Sequence, residues 1–231
     1  MGDRARWPPE PGQGVSNTTF ELPYTWPVSD EAVAGIFGLA REWSVALATD
    51  VSERISLYMH RLLEWNQRVN LTGAHSVGDL LGEHLADSFA LCRLIPQGSN
   101  VVDVGSGGGL PAVPFSLLRP DCRITLLEPR AKRVAFLKTA VRECACGNAK
   151  VIRARLEEYT GGRFEVATSR ATFTPEKWLE IAPLLLVPGG RIVLLTNVDG
   201  RPTDGSARLV DSVAYRVGTS ATRWAASYCS T

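Results

Sequence analysis

Three glycines spaced as G-x-G-x-G, namely Gly105, Gly107 and Gly109, follow the apolar run Val101-Val102 and lead into Leu110-Pro111-Ala112-Val113-Pro114-Phe115. A strand that ends in such a turn and continues as a helix offers bare backbone to a ligand, because glycine has no Cβ and takes positive φ readily. Pro111, just inside the start of the helix, forfeits no hydrogen bond there. Taken alone, the turn is equally well a tight strand–helix connection. Glu128 shifts that balance. It ends the next apolar run, nineteen residues after Gly109, where an acidic side chain can accept hydrogen bonds from ribose hydroxyls. A dinucleotide fingerprint, G-x-G-x-x-G, requires its third glycine at position 110, which is Leu110. The pattern therefore favours a nucleoside cofactor without a pyrophosphate, and S-adenosylmethionine fits it better than NAD.

Three other clusters could carry chemistry. Ser169-Arg170-Ala171 follows a further strand pattern, which puts Arg170 at the rim of the proposed cleft as a ligand contact. His84 and Asp87-Ser88 lie one helical turn apart on a common face. With three histidines in the chain and no second close ligand, no metal site is expected. Trp65-Asn66 and Asn70-Leu71-Thr72 read either as an aromatic anchor with an Asn-rich helix terminus or as part of a site.

The elements that would position these residues change character along the chain. Residues 1–28 hold five of the fourteen prolines and no periodic apolar pattern, and are expected to be a disordered extension with Trp7 and Trp26 available to dock. From Ser29, a candidate cap, helical periodicity runs through Val33, Ile36, Phe37 and Ala40. A second helix is expected from about Asp50 to Val69, ended by Asn70-Leu71-Thr72-Gly73, and a third from Asp79 to about Leu94. These helices, residues 29–97, read as an N-terminal cap. After Gly98, strand patterns at Asn100–Val104, Arg123–Glu128, Ala149–Arg153, Phe164–Ser169 and Arg191–Thr196 alternate with helical ones at Pro111–Leu118, Ala131–Cys146 and Pro175–Val187. That alternation predicts an α/β fold over residues 98–231, with a mostly parallel sheet covered on both faces. Ligands bind such sheets at the carboxyl ends of the strands. Leu209–Val217 and Arg223–Cys229 are expected to close the sheet as an antiparallel pair around Thr219-Ser220.

Composition narrows the partners. The net charge is +1, so the whole protein is neither a polyanion nor a polycation. Its distribution is uneven: residues 119–155 carry ten Arg or Lys against Asp121, Glu128 and Glu143. Such a local field suits a phosphate-rich partner, although solvated surface charge gives the same count. The five cysteines are scattered, with Cys144 and Cys146 in neither redox nor zinc spacing, and are expected to be reduced thiols of a cytoplasmic protein. No apolar run reaches the length of a membrane span.

The motifs W-N-x-x-x-N-L-T, H-x-x-D-S, D-V-G-S-G-G-G-L-P, K-R-x-x-F-L (Lys132, Arg133, Phe136, Leu137) and S-R-A stand in the order and spacing of the bacterial small-subunit ribosomal RNA methyltransferase G family, also called glucose-inhibited division protein B. The resemblance covers roughly residues 55–196. It implies a Rossmann-like, S-adenosylmethionine-dependent enzyme that methylates N7 of a guanine in 16S rRNA, on the small ribosomal subunit or its precursor. Carried over by position, Gly105, Leu110, Leu156, Glu157 and Arg170 match the family's cofactor contacts, and Glu128 matches its acidic ribose position. Gly107 and Gly109 join them as floor of the turn. Arg133, Lys138, His84 and Asn70 are the candidate substrate contacts, and a monomer is expected. Guanine N7 is a lone-pair acceptor with no proton to lose, so the absence of an evident general base is consistent with the reaction. One departure stands out: members usually continue the fifth strand as Leu-Lys-Gly, and this chain has Leu195-Thr196-Asn197. A relative with another RNA or small-molecule substrate, or a non-catalytic RNA-binding relative, remains an alternative.

Overall fold

The computed structural model describes residues 29–197, 207–218 and 221–230. The extension expected over residues 1–28 and the loop expected at Thr219-Ser220 lie outside the described residues. Seven strands form one sheet: β1 Asn100–Val104, β2 Arg123–Leu127, β3 Ala149–Ile152, β4 Phe164–Arg170, β5 Leu186–Thr196, β6 Ala207–Val217 and β7 Ala221–Ser230, in the spatial order β3-β2-β1-β4-β5-β7-β6. The first five run parallel and β7 inserts antiparallel between β5 and β6. The order reverses between β1 and β4, so the carboxyl ends of those two strands flank the switch-point crevice.

Strand alternation explains how this sheet becomes a buried middle layer. Val101, Ile124, Leu126, Val166, Val193 and Leu195 point to one face, under α1 (Asp30–Glu42), α2 (Thr49–Asn66), α4 (Ala86–Leu94), α5 (Ala112–Leu118) and α6 (Ala131–Glu143). Their neighbours Val102, Val104, Leu127, Ala167, Ile192 and Leu194 point to the other face, against Trp178 and Leu179 of α7 (Pro175–Ile181). A period of two thus feeds two apolar layers from one run of residues. The N-terminal helices share the first layer with the sheet. No described helix is long and apolar enough to cross a membrane.

Several boundaries differ from those expected, each for a local reason. Ser29 does cap α1, accepting from Ala32 N at 3.3 Å. α2 stops at Asn66 rather than Val69, because the Asn66 side chain takes over the backbone of the following turn. Its Oδ1 accepts from Leu71 N and Thr72 N, and its Nδ2 donates to Thr72 O and Ala74 O. The third helix starts earlier, as α3 (Val77–Asp79) under a Ser76/Asp79 capping box, and widens to a π-helix over Leu80–Leu85 before α4. Pro111 is the residue before α5, not its first residue. α6 ends at Glu143, where Ala145 takes a φ of 52°. The helix expected over Pro175–Val187 ends at Ile181, followed by a short 3-10 turn, and β5 begins already at Leu186 with Gly189 at positive φ.

Candidate cofactor and substrate site

The turn after β1 is built by its glycines and braced from three sides. Gly105, Gly107 and Gly109 have φ of 75°, 56° and 86°, which a side chain would oppose. Gly105 N and Ser106 N donate to Leu127 O at 2.8 and 3.2 Å, continuing the β1–β2 ladder into the turn. A Cβ on Gly105 would run into Thr172 Oγ1, one on Gly108 would meet Leu71 O at 2.9 Å, and one on Gly109 would meet Val113 Cγ2 at 2.6 Å. These three positions are committed to the fold. At Gly107 the nearest atom is Arg133 Nη1 at 3.6 Å, so here the missing side chain leaves room. From above, Tyr58 donates to Gly108 O at 2.6 Å, fully buried, and Ser88 donates to Pro111 O at 3.0 Å. α2 and α4 thereby hold the turn in place.

Two carboxylates face this turn. Glu128, 2 % exposed, accepts from Gly107 N at 2.9 Å through Oε2 and from Arg130 N at 2.9 Å through Oε1. Its oxygens keep further lone pairs for a hydroxyl donor. Asp103, one residue before the end of β1 and 2 % exposed, opens the glycine motif but has no spacing signal of its own. Its Oδ2 has no hydrogen-bond partner among the described residues, and the same holds for Oγ1 of Thr168, its register partner on β4. Burial pushes the Asp103 carboxyl up to about 7.

Arg170, at the end of β4, reaches across the crevice to α4. Its Nη1 donates to Asp87 Oδ2 at 2.9 Å and lies 3.2 Å from His84 Nδ1, so the H-x-x-D-S and S-R-A motifs meet. Asp87 is fully buried and also accepts from Arg223 Nη1 at 2.7 and 2.8 Å and from Tyr215 Oη at 2.7 Å. Arg223 in turn donates through Nε to Asn197 Oδ1 at 2.8 Å. A guanidinium from β7 therefore docks where the chain departs from Leu-Lys-Gly. Burial, and next the Arg170 cation, hold His84 below its ordinary pKa; with Arg170 donating to Nδ1, the ring proton is assigned to Nε2. Arg223 and Tyr215 had no sequence signal, since the residue they meet, Asp87, lies more than a hundred residues upstream.

The remaining candidates divide. Arg133 Nη2 donates to Asn70 O at 3.1 Å, which joins α6 to the loop after α2 beside Gly107; for Asn70 the backbone, not the side chain, makes that contact. Leu156 and Glu157 lie in a 3-10 turn after β3, Leu156 packed against the Val102 layer and Glu157 exposed. Lys138 is exposed on α6 and, five residues from Arg133, lies about 140° around that helix; the structure does not bring the two together. Among the described residues, no group of three His, Cys, Asp or Glu is placed to hold a metal ion.

The family model described as rRNA small subunit methyltransferase G matches residues 51–199. The chain belongs to the rRNA small subunit methyltransferase G family. A ribosomal RNA small subunit methyltransferase G from Laribacter hongkongensis is 36% identical over 180 residues, spanning 78% of this chain and 85% of that protein. One from Myxococcus xanthus is 32% identical over 199 residues, 81% of this chain and 90% of that protein. Family membership covers α2 through β5, and hence the glycine turn, Glu128, Asp87 and Arg170. Among solved structures, an O-methyltransferase from Bacillus cereus in complex with SAH superposes with a TM-score of 0.54 at 14% identity, covering 84% of this chain and 96% of that one. A methyltransferase from Pyrococcus furiosus gives 0.52 at 15% identity, over 75% and 98%. At such identities the likeness establishes the fold, a Rossmann-like methyltransferase sheet.

Asp87 gives the most direct check on this architecture. Asp87→Asn removes the one carboxylate between two guanidiniums and should cost about 3–5 kcal/mol of stability, the range for breaking a buried ion pair from one side. Urea unfolding of the variant measures it.

Proposed function

We propose that this protein transfers the methyl group of S-adenosylmethionine to N7 of a guanine in 16S rRNA, acting as a monomer in the cytoplasm on the small subunit or its precursor. The observation that carries the reading is the pair of buried carboxylates at the carboxyl ends of β1 and β2. Glu128 is held by Gly107 N of the turn and by Arg130 N, with lone pairs left for a ribose. Asp103 has a buried carboxyl oxygen without a partner, which a cationic group would satisfy. S-adenosylmethionine, when bound, supplies an electrophilic methyl group on a sulfonium. The residues present suit it: Gly105, Gly107 and Gly109 with Leu110 form the floor, Glu128 faces the ribose, Asp103 the cationic end, and Leu156 and Glu157 the base.

The substrate side is consistent with a nucleophile that has no proton to lose. Asp87 is saturated by two guanidiniums and a hydroxyl, and His84 is occupied by Arg170. Neither is free to act as a general base. What the chain supplies is placement: Arg170, fixed through Asp87, lines the crevice with its other N–H groups, and guanine O6 beside N7 is an acceptor for such donors. Holding N7 in line with the methyl carbon is worth up to about 7–11 kcal/mol of the barrier. The free thiols at all five cysteines accord with a reducing compartment.

Two outcomes follow. Asp103 must be ionised to hold a cation, and with its carboxyl near 7 it carries a proton below that pH and loses it above. Calorimetry should therefore find S-adenosylmethionine affinity constant in mildly alkaline buffer and falling as pH drops through neutrality. Asp103→Asn should weaken binding roughly 10–100-fold, the scale of one charge-assisted hydrogen bond, and flatten the profile. The function itself is tested in cells: strand scission at 7-methylguanine in 16S rRNA should lose one position when this protein is deleted, and an unchanged scission pattern refutes the assignment.

A further inference from the structure

One residue beyond Glu128, at the edge of the sheet, a second cleft of about 680 Å³ opens between the carboxyl ends of β2 and β3. It is lined by Pro129, Arg130, Arg153, Ala154, Arg155 and Glu158. Three guanidiniums face one carboxylate, in a chain whose net charge is only +1. Glu158 is a weak counterion: its Oε1 lies 3.9 Å from Arg155 Nε, with both side chains more than 60% exposed, and its Oε2 accepts from Arg155 N at 3.2 Å. Arg153 is braced by donating from Nε to Pro129 O at 3.3 Å, which ties the end of β3 to the end of β2. Arg130 forms no ion pair among the described residues, although its backbone N–H is fixed on Glu128.

We infer that Arg130, Arg153 and Arg155 form a clamp for backbone phosphates of the substrate RNA. The inference rests on the function proposed above and goes further by assigning the path of the strand. Guanidiniums present planar N–H forks that match phosphate oxygens. The base of the cofactor, set above at Leu156 and Glu157 beside this cleft, is uncharged, so the surplus of positive charge here answers to a further, anionic group. The cleft also lies at a useful distance. In the order β3-β2-β1-β4, three strand spacings, roughly 14 Å, separate its outer edge from the end of β4, where Arg170 stands. A single-stranded RNA that turns one guanine down into the β1/β4 crevice can lay a neighbouring phosphate on this clamp. Contacts of that kind fix the register of the strand without reading its bases.

The test compares the intact protein with the double variant Arg130→Glu/Arg153→Glu, both positions exposed. Binding to deproteinised 16S rRNA is titrated across a salt series, and S-adenosylmethionine binding is measured in parallel by calorimetry. The clamp predicts a loss of roughly tenfold in RNA affinity at low salt and a log–log salt slope smaller by about two units, one per lost phosphate contact, with cofactor affinity unchanged. Unchanged RNA affinity and slope in the variant, against binding by the intact protein, overturns the clamp. So does a loss confined to the cofactor, which would place the cleft in the adenosine site. Inorganic phosphate is titrated as a third arm: saturable binding that the variant loses while keeping its RNA affinity would make this a small-anion site and overturn the clamp too. Failure of the intact protein to bind RNA at all would overturn the proposed function, and the clamp with it.

Discussion

One wall of the crevice at the carboxyl end of this sheet depends on one buried carboxylate. Asp87 has no solvent contact, and an isolated charge in that setting would be strongly unfavourable. It is tolerated because Arg170, Arg223 and the Tyr215 hydroxyl converge on its two oxygens. Those partners come from β4, β7 and β6, so a single side chain on α4 fastens a helix to three strands that the chain reaches at very different times. Two guanidiniums on one carboxylate leave a surplus of positive charge. It is carried by side chains from the end of β4 and from β7.

The opposite wall is fixed by a different device. The glycine turn cannot move without disturbing Tyr58, whose hydroxyl is hydrogen-bonded to Gly108 O, or Leu71, whose carbonyl lies where a Gly108 side chain would stand. Asn66 sets the position of Leu71 by closing the loop after α2 with its own amide. The helices before the sheet therefore brace the glycine turn through contacts to its backbone. Preorganisation of this kind limits the ordering that binding must impose.

Much of this was legible in the residues because it is local. A glycine turn after Val101-Val102 and an acid ending the next strand are features of short segments, and the alternation of Val101 with Val102 or Ile192 with Val193 marks strands that are covered on both faces. What was not legible depends on long-range pairing. Nothing near Arg223 shows that antiparallel insertion of β7 beside β5 will bring it to Asp87, a hundred and more residues upstream. The widening of the helix over Leu80–Leu85 has no distinguishing composition, and it decides how His84 and Asp87 both meet Arg170. Asp103 carries only a strand pattern in the sequence, because what sets it apart is a missing partner rather than a spacing. Lys138, named with Arg133 as a candidate substrate contact, stands about 140° around α6 from it, a separation that charge and closeness in sequence do not reveal.

Direct observation of the product is the decisive measurement. Purified protein, incubated with methyl-labelled S-adenosylmethionine and small ribosomal subunits from cells lacking it, should place label in 16S rRNA, and nucleoside digestion with mass spectrometry should identify it as 7-methylguanosine. Label on any other nucleoside, on ribosomal protein, or nowhere would contradict the account.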